Sequence, residues 1–111
     1  MGVQIYLDGE YNPDNPDNYI VSMSYGPFGD VLDCFGLLWN NDPEYAACEH
    51  PDGSVNLYMW VLDPQIILDR KDMAIRNSNR KIDFDDLTKR VANVIVIADK
   101  AKAAGKQLLW S

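Results

Sequence analysis

One thiol and one imidazole lie close together in the sequence, in Cys48-Glu49-His50. If this segment is a strand, the two side chains share one face, as a nucleophilic cysteine and its histidine base would require. Catalysis also needs an orienting third group and an oxyanion site, and side chains two apart on a strand rarely meet well. We therefore interpret the two residues as a buried cysteine and a histidine at a sheet edge, and we predict no catalytic residue.

Metal binding is the second chemistry that these residue types allow. Cys34, Cys48 and His50 are of zinc-ligand type, but no Cys-x-x-Cys pair accompanies them. An acidic loop could offer oxygen ligands to calcium, although its spacing lacks the glycine-anchored EF-hand pattern. The members of this loop are Asp8, Glu10, Asp14 and Asp17. A solvated turn is the simpler interpretation, and we predict neither a metal nor a cofactor.

Other catalytic signatures are missing from the sequence. It contains no glycine-rich phosphate-binding loop and no Gly-x-Ser-x-Gly motif. A pair of carboxylates for general acid–base catalysis cannot be chosen among 17 acidic residues. We therefore expect a protein that is not an enzyme.

The distribution of charge is the most unusual property of the chain. Residues 1–69 contain 12 acidic residues and no lysine or arginine. All 10 basic residues lie within residues 70–106, together with the remaining five acids, so the overall formal charge is −7. This segregation of charge is the feature of the sequence that is most informative about function.

Composition excludes several classes of protein. An acidic chain with a pI near 4.4 is a poor ligand for nucleic acid, which requires a positive surface. The basic stretch over residues 70–81 is expected to be a solvated helix face that pairs with the protein's own acids. No apolar run approaches the ~20 residues that span a bilayer. The first residues lack the basic start and apolar stretch of a signal peptide, so we expect none. Two cysteines are too few for a disulfide scaffold, so we expect a reduced, cytoplasmic protein.

The first half of the chain predicts strands. Alternating apolar residues indicate strands over residues 3–7 and 19–25, separated by a loop rich in Asn, Asp and Pro. Residues 26–29 are predicted to break the second strand, with Gly26 and Gly29 as turn residues. Residues 31–39 are ambiguous and could form a short helix capped by Asp30. Gly36 in the middle would cost a helix about 1 kcal/mol, so a further strand is favoured.

A hairpin is the clearest local motif. Residues 45–50 and 54–62 flank Pro51-Asp52-Gly53, which is typical of a tight turn. Both faces of the second arm are largely apolar, which predicts a central strand or one whose second face meets a helix or a partner.

The second half predicts helices. Residues 65–75 are predicted to form a short helix that ends in a loop at residues 77–79. A long helix is predicted over residues 84–104, with Asp83 as N-cap, Gly105 as C-cap and one apolar face at helical spacing. Residues 107–110 are predicted to form a short last strand.

The predicted fold is one α+β domain over residues 1–111. It has an antiparallel sheet of about four to six strands, mostly from the N-terminal two-thirds of the chain. One short helix and one long C-terminal helix pack on this sheet.

The charge pattern favours a binding protein as the function. Negative charge steers a protein toward a basic surface, and such surfaces belong mostly to proteins that act on nucleic acids. We expect a small inhibitor that occludes the active or binding cleft of a basic partner, as toxin-immunity proteins and phage anti-restriction or anti-CRISPR inhibitors do. The acids lie in turns rather than in a regular ladder, which favours a plug for a cleft over a mimic of duplex DNA.

The predicted contacts form two patches. The hairpin acids would pair with Arg or Lys on the partner, and nearby aromatic residues would anchor the contact. The hairpin acids are Asp42, Glu44, Glu49 and Asp52, and the aromatic anchors are Trp39, Tyr45 and Trp60. The second patch is the acidic loop defined above.

Two other functions remain open at this level. A small enzyme or ligand-binding module could build its site from residues far apart in the sequence. An assembly subunit of a phage or a secretion system could dock its acidic and basic parts head to tail. For the inhibitor we expect a monomer or a homodimer, whereas head-to-tail docking would exclude a chain that stays monomeric at low salt.

Overall fold

The computed structural model describes residues 2–9, 20–39, 53, 55–57, 61–80 and 86–110. Its architecture is α+β, as the sequence predicts. In chain order the elements are β1 (Gly2–Leu7), β2 (Val21–Ser24), α1 (Tyr25–Cys34), β3 (Leu37–Trp39), β4 (Val55–Leu57), β5 (Val61–Leu62), α2 (Pro64–Asp69), α3 (Lys71–Asn79), α4 (Leu87–Ala104) and β6 (Leu108–Trp110).

The main sheet has four strands in the order β2-β1-β6-β5, and every neighbouring pair is antiparallel. The last strand lies in the interior of this sheet, with Trp110 opposite Ile5 of β1 and Leu108 opposite Leu62 of β5. Strands β3 and β4 form a separate parallel pair. The predicted antiparallel sheet is therefore present, but the described strands divide between two sheets.

Period-two burial fixes which face of the sheet meets the helices. Val3, Ile5 and Leu7 of β1 are buried, and Gln4 and Tyr6 between them are partly exposed. The buried set belongs to one apolar core that also contains residues of all four described helices. A strand with such alternation must keep its register, because a slip of one residue would turn every apolar side chain outward.

Helix α1 corrects two predictions at once, because residues 26–29 do not form a turn and residues 31–34 are not a strand. Ser24 is the N-cap, so Gly26 and Pro27 fall in the first helical turn. Backbone N–H groups in the first turn have no intrahelical acceptor. Proline, which lacks an N–H, therefore removes no helical hydrogen bond there. Gly36 lies beyond the helix end with φ of +69°, where glycine is favoured, and not in the middle of an element.

The C-terminal end of α1 is held by side chains from far along the chain. The Nη1 atom of Arg70 donates to the carbonyl oxygens of Phe35 at 3.1 Å and Gly36 at 3.2 Å. The Nδ2 atom of Asn77 donates to the carbonyl oxygen of Cys34 at 2.9 Å. Carbonyls at a helix end lack intrahelical partners and carry the negative end of the helix dipole, so these donors stabilise α1 from outside.

The described parts of the predicted second arm of the hairpin pair with two different strands. Val55–Leu57 pairs in parallel with β3, whereas Val61–Leu62 pairs with β6 in the main sheet. The predicted first arm, residues 45–50, and the turn residues Pro51 and Asp52 lie outside the described residues.

The predicted short helix over residues 65–75 is two helices. Arg70, with φ of −105° and ψ of 9°, separates α2 from α3. Asp63 caps α2 by accepting from the Gln65 amide at 2.9 Å, and Pro64 occupies the first helical position. The predicted loop at residues 77–79 is wrong, because α3 extends to Asn79.

Helix α4 confirms the long C-terminal helix and its buried face. Leu87, Val91, Val94, Ala98 and Ala101 are buried, as their spacing predicts. Gly105 ends the helix with φ of +67°. The predicted start at residue 84 and the N-cap Asp83 lie outside the described residues, in which Asp86 is the N-cap.

Candidate functional site

Most of the predicted contact residues fall outside the described part of the chain. This holds for all the hairpin acids, for Tyr45 and Trp60, and for Glu10, Asp14 and Asp17 of the acidic loop. Trp39 ends β3, but its side chain is not among those described. The acidic contact patches therefore stay a prediction.

Asp8 is the member of the acidic loop that the structure describes. It is exposed and follows β1 directly. Its amide donates to the carbonyl oxygen of Gln107 at 2.9 Å, which ties the start of the loop to the residue before β6. Gly9 follows with φ of +79°, a left-handed conformation that turns the chain away from the strand. The acidic loop thus leaves the sheet at a defined point.

The described residues are almost neutral. Nine of them are Lys or Arg and eight are Asp, which gives a formal charge of +1. The basic residues are Arg70, Lys71, Arg76, Arg80, Lys89, Arg90, Lys100, Lys102 and Lys106, and the acids are Asp8, Asp30, Asp33, Asp63, Asp69, Asp72, Asp86 and Asp99. The other nine acids and Lys81 give −8, so the surplus negative charge belongs to the rest of the chain.

The basic stretch does not behave as one face. Lys71, Arg76 and Arg80 are exposed, as expected for a solvated helix surface. Arg70 instead turns toward α1 and donates to its terminal carbonyls. A solvated helix face therefore describes part of this stretch, and one of its guanidinium groups has a structural role.

The candidate chemistry of the cysteines is only partly described. Cys34 is 1% exposed, at the end of α1 within the apolar core. A thiol in that position packs as a small apolar side chain. Cys48 and His50 lie outside the described residues. Among the side chains that the structure describes, no three His, Cys, Asp or Glu residues are grouped so that they could hold a metal ion.

A groove lies where α4 passes the edge of the main sheet. Its volume is about 500 Å³, and it is lined by residues 2–4 of β1, residues 22–24 of β2 and Arg90 of α4. Arg90 is partly buried, between exposed Lys89 and buried Val91. The groove combines one cation with the hydroxyl-bearing residues Ser22 and Ser24.

Sequence reasoning missed this groove. Arg90 stands in an amphipathic helix, where an arginine is typical of the solvent-facing side. The two serines alternate with apolar residues in a strand, a pattern that predicts only a solvated sheet face. The groove becomes visible only from the sheet register, in which Gln4 pairs with Ser22 and Gly2 with Ser24.

Comparison of the chain with protein-family models, with curated proteins and with solved structures finds no match. None of the helices in the described ranges combines the length and the hydropathy needed to cross a bilayer.

Proposed function

We propose that this protein is a small acidic inhibitor that binds a basic, nucleic-acid-acting protein and occludes its active or binding cleft. The contact is made by the hairpin acids and the acidic loop, with Trp39, Tyr45 and Trp60 as apolar anchors. The mechanism is steric and electrostatic and involves no turnover. Toxin-immunity proteins and phage anti-restriction or anti-CRISPR inhibitors are the classes that work in this way.

The observation that carries the proposal is the position of the surplus charge along the chain. Residues 10–19 and 40–52 contain seven acidic residues and no lysine or arginine. The described residues are close to neutral, with a formal charge of +1. A surface whose charges balance creates little long-range field, whereas seven negative charges in two connecting segments without a cation give those segments a directed field.

The attachment of the first acidic segment supports a defined presentation. Residues 10–19 connect the end of β1 to the start of β2. Because β1 and β2 are antiparallel neighbours, with Ile5 opposite Val21, both attachment points lie at the same end of the sheet. A contact segment held at both ends by a rigid sheet loses less conformational entropy when it binds than a tail would.

The test is affinity capture from the native host, or from infected cells, at low and high salt. The bait is the full chain, and the first variant neutralises the hairpin acids as Asp42→Asn, Glu44→Gln, Glu49→Gln and Asp52→Asn. Four exposed ion pairs at about 0.2–1 kcal/mol each predict a loss of roughly 1–4 kcal/mol in binding, together with a smaller salt dependence.

A matched control keeps the change in net charge and moves it to the helices. Asp69, Asp72, Asp86 and Asp99 are all exposed, and their replacement by Asn also removes four negative charges. The proposal predicts that this control captures the same partner with nearly unchanged affinity. If both quadruple variants bind equally well, the hairpin acids are not the contact. A captured partner that lacks a basic surface would sink the functional class as well.

A further inference from the structure

Partly exposed apolar residues lie on the face of the main sheet opposite the helices. Tyr6 alternates with the buried residues of β1, so it stands on this outer face. Leu109 of β6 and Val61 of β5 are likewise partly exposed and adjoin buried residues of their strands. Leu109 and Val61 belong neither to the buried core nor to the partly buried apolar residues packed against it, which are Ile66, Leu68, Ile75 and Ile95.

The sheet register joins these three residues into one row. Tyr6 lies opposite Leu109, and Leu109 lies opposite Val61. Side chains directly opposite each other on one face have Cβ atoms about 4.5–5.5 Å apart. The row is therefore continuous across β1, β6 and β5, with a length of about 9–10 Å. Single apolar residues scattered over a surface need no explanation, but three in adjacent positions form a patch.

The same register brings two exposed carboxylates beside the row. The amide of Asp8 donates to the carbonyl oxygen of Gln107 at 2.9 Å, which continues the pairing of β1 with β6. Asp63 follows β5 in an extended conformation, and the pairing of β5 with β6 leads it to the same Gln107. Each aspartate lies two residues beyond a member of the row, so it shares the outer face at a distance of about 6–7 Å. Asp63 also caps α2, and a carboxylate has room for further donors.

We propose that the apolar row and its two aspartates form a docking surface for an extended segment of a basic protein. This outer-face patch consists of Tyr6, Leu109, Val61, Asp8 and Asp63. In an extended segment, side chains two residues apart lie on one side at about 6–7 Å, which equals the separation of the row from the carboxylates. A segment with an aromatic or aliphatic side chain and a Lys or Arg two residues away therefore meets both parts of the patch.

Charge selects a basic protein as the occupant. The patch contains two carboxylates and no lysine or arginine. A second copy in a two-fold contact would present the same patch, so its carboxylates would meet no cation. Nucleic acid and anionic membranes are repelled by the same charges. The acidic segment over residues 10–19 begins just beyond Asp8, so the patch is continuous with the proposed contact. The identity of the partner as a basic protein rests on the proposed function, whereas the arrangement of the patch does not.

The experiment is a titration of the full chain with a short peptide, followed by ¹⁵N-HSQC NMR. The probe is acetyl-Lys-Ser-Trp-Ser-Lys-amide, which has a cation two residues from the tryptophan on each side. The first control peptide replaces both lysines by glutamate, and the second replaces the tryptophan by glycine. We expect saturable shifts of the amides of residues 6, 8, 61, 63 and 109 with the probe. The glutamate peptide should give no saturation, and the glycine peptide should bind several-fold more weakly.

Neutral variants test the role of the two carboxylates. Asp8→Asn combined with Asp63→Asn should weaken binding of the probe by about 2- to 30-fold, as expected for the loss of two exposed ion pairs. Asparagine is also a good N-cap, so α2 keeps its start. The matched control is Asp72→Asn combined with Asp99→Asn. Both residues are exposed on helices, and their replacement removes the same charge, so binding should not change.

Threonine variants test the apolar row. Leu109→Thr should weaken binding of the probe several-fold and retains a high strand propensity. Val61→Thr is nearly isosteric and provides the same test if Leu109→Thr does not fold. Ser22→Thr is the control, because this exposed residue of β2 lies on the outer face but outside the row, and its replacement should leave binding unchanged.

Three outcomes of the titration would overturn the outer-face patch. They are absence of saturation with the probe, equal affinity for the glycine peptide, and equal weakening by the control pair of aspartate variants. Failure of the patch can be told apart from failure of the inhibitor function. A captured basic partner that binds Leu109→Thr and the double Asp8→Asn, Asp63→Asn variant as tightly as the wild type would overturn the patch alone. Saturable binding of the probe, lost in these variants, supports the patch even if the captured partner lacks a basic surface, which would overturn the inhibitor function.

Discussion

Replacement of Arg70 by alanine should destabilise the protein, although the residue lies in a short connection between two helices. Its guanidinium donates to the carbonyl oxygens of Phe35 and Gly36 at 3.1 and 3.2 Å. Hydrogen bonds to a charged group contribute about 1.5–3 kcal/mol, and a cation at a helix C-terminus adds about 0.3–1 kcal/mol. Both acceptors share one nitrogen, and water can reach the partly exposed site. We therefore expect a loss of about 2–3 kcal/mol in the free energy of unfolding.

The assay is urea unfolding followed by circular dichroism, with Arg76→Ala as the control. Arg76 belongs to the adjoining helix α3 and is exposed, so its removal should change stability by less than about 0.5 kcal/mol. Arg70→Lys should recover part of the loss, because an ammonium keeps the charge but reaches the two carbonyls less well. Equal stability of Arg70→Ala and Arg76→Ala would refute the argument that α1 is held from outside.

Three further predictions concern single contacts, each read as a free energy of unfolding. Gly36→Ala should lower the free energy of unfolding more than Gly105→Ala. Both residues have positive φ, but only a Cβ on residue 36 would lie 3.1 Å from the guanidinium of Arg70. Equal losses would contradict this contact. Ser78→Ala should lower the free energy of unfolding by about 1–2 kcal/mol. Ser78 is 2% exposed, and its hydroxyl donates to the carbonyl oxygen of Ile75 and lies 3.0 Å from the Thr88 hydroxyl. Unchanged stability would show that these hydroxyl contacts add nothing. Asp63→Ala should cost about 1 kcal/mol as a lost N-cap, and Asp63→Asn should restore most of it; similar losses in both variants would argue against the cap.

Elements with a strong local pattern were predictable from the sequence. The period of two in β1 and the helical spacing in α4 each bury one face, and local sequence alone specifies both. Gly105 marks the end of α4 by the same local logic, because its positive φ is a glycine signature.

Helix α1 could not be predicted in this way. Its first turn contains Gly26 and Pro27, which normally punctuate structure. What stabilises it is tertiary: Phe28, Val31 and Leu32 are buried, and the donors at its end come from residues 70 and 77. The spacing of Phe28, Val31 and Leu32 is helical and lies within one window of sequence, but the donors at the helix end do not.

The acidic patches and the groove beside Arg90 differ in the same respect. The acidic patches can be predicted from composition, because a run without cations is visible in one dimension. The groove at Arg90 cannot, since it exists only where the pairing of β1 with β2 brings Ser22 and Ser24 near α4. Its residues span positions 2 to 90 of the chain.

The interior position of β6 has a consequence for how the protein is made. Strand β1 precedes every other described element in the chain, yet Trp110, which lies opposite its residue Ile5, is synthesised more than a hundred residues later. At ~5–20 residues per second, β1 waits roughly 5–20 s with one hydrogen-bonding edge uncovered. During that interval a strand that carries Val3, Ile5 and Leu7 offers a template for pairing with other chains. A circular permutant that joins β6 directly to β1 would bring the two strands together within one short hairpin and should fold faster and aggregate less during synthesis.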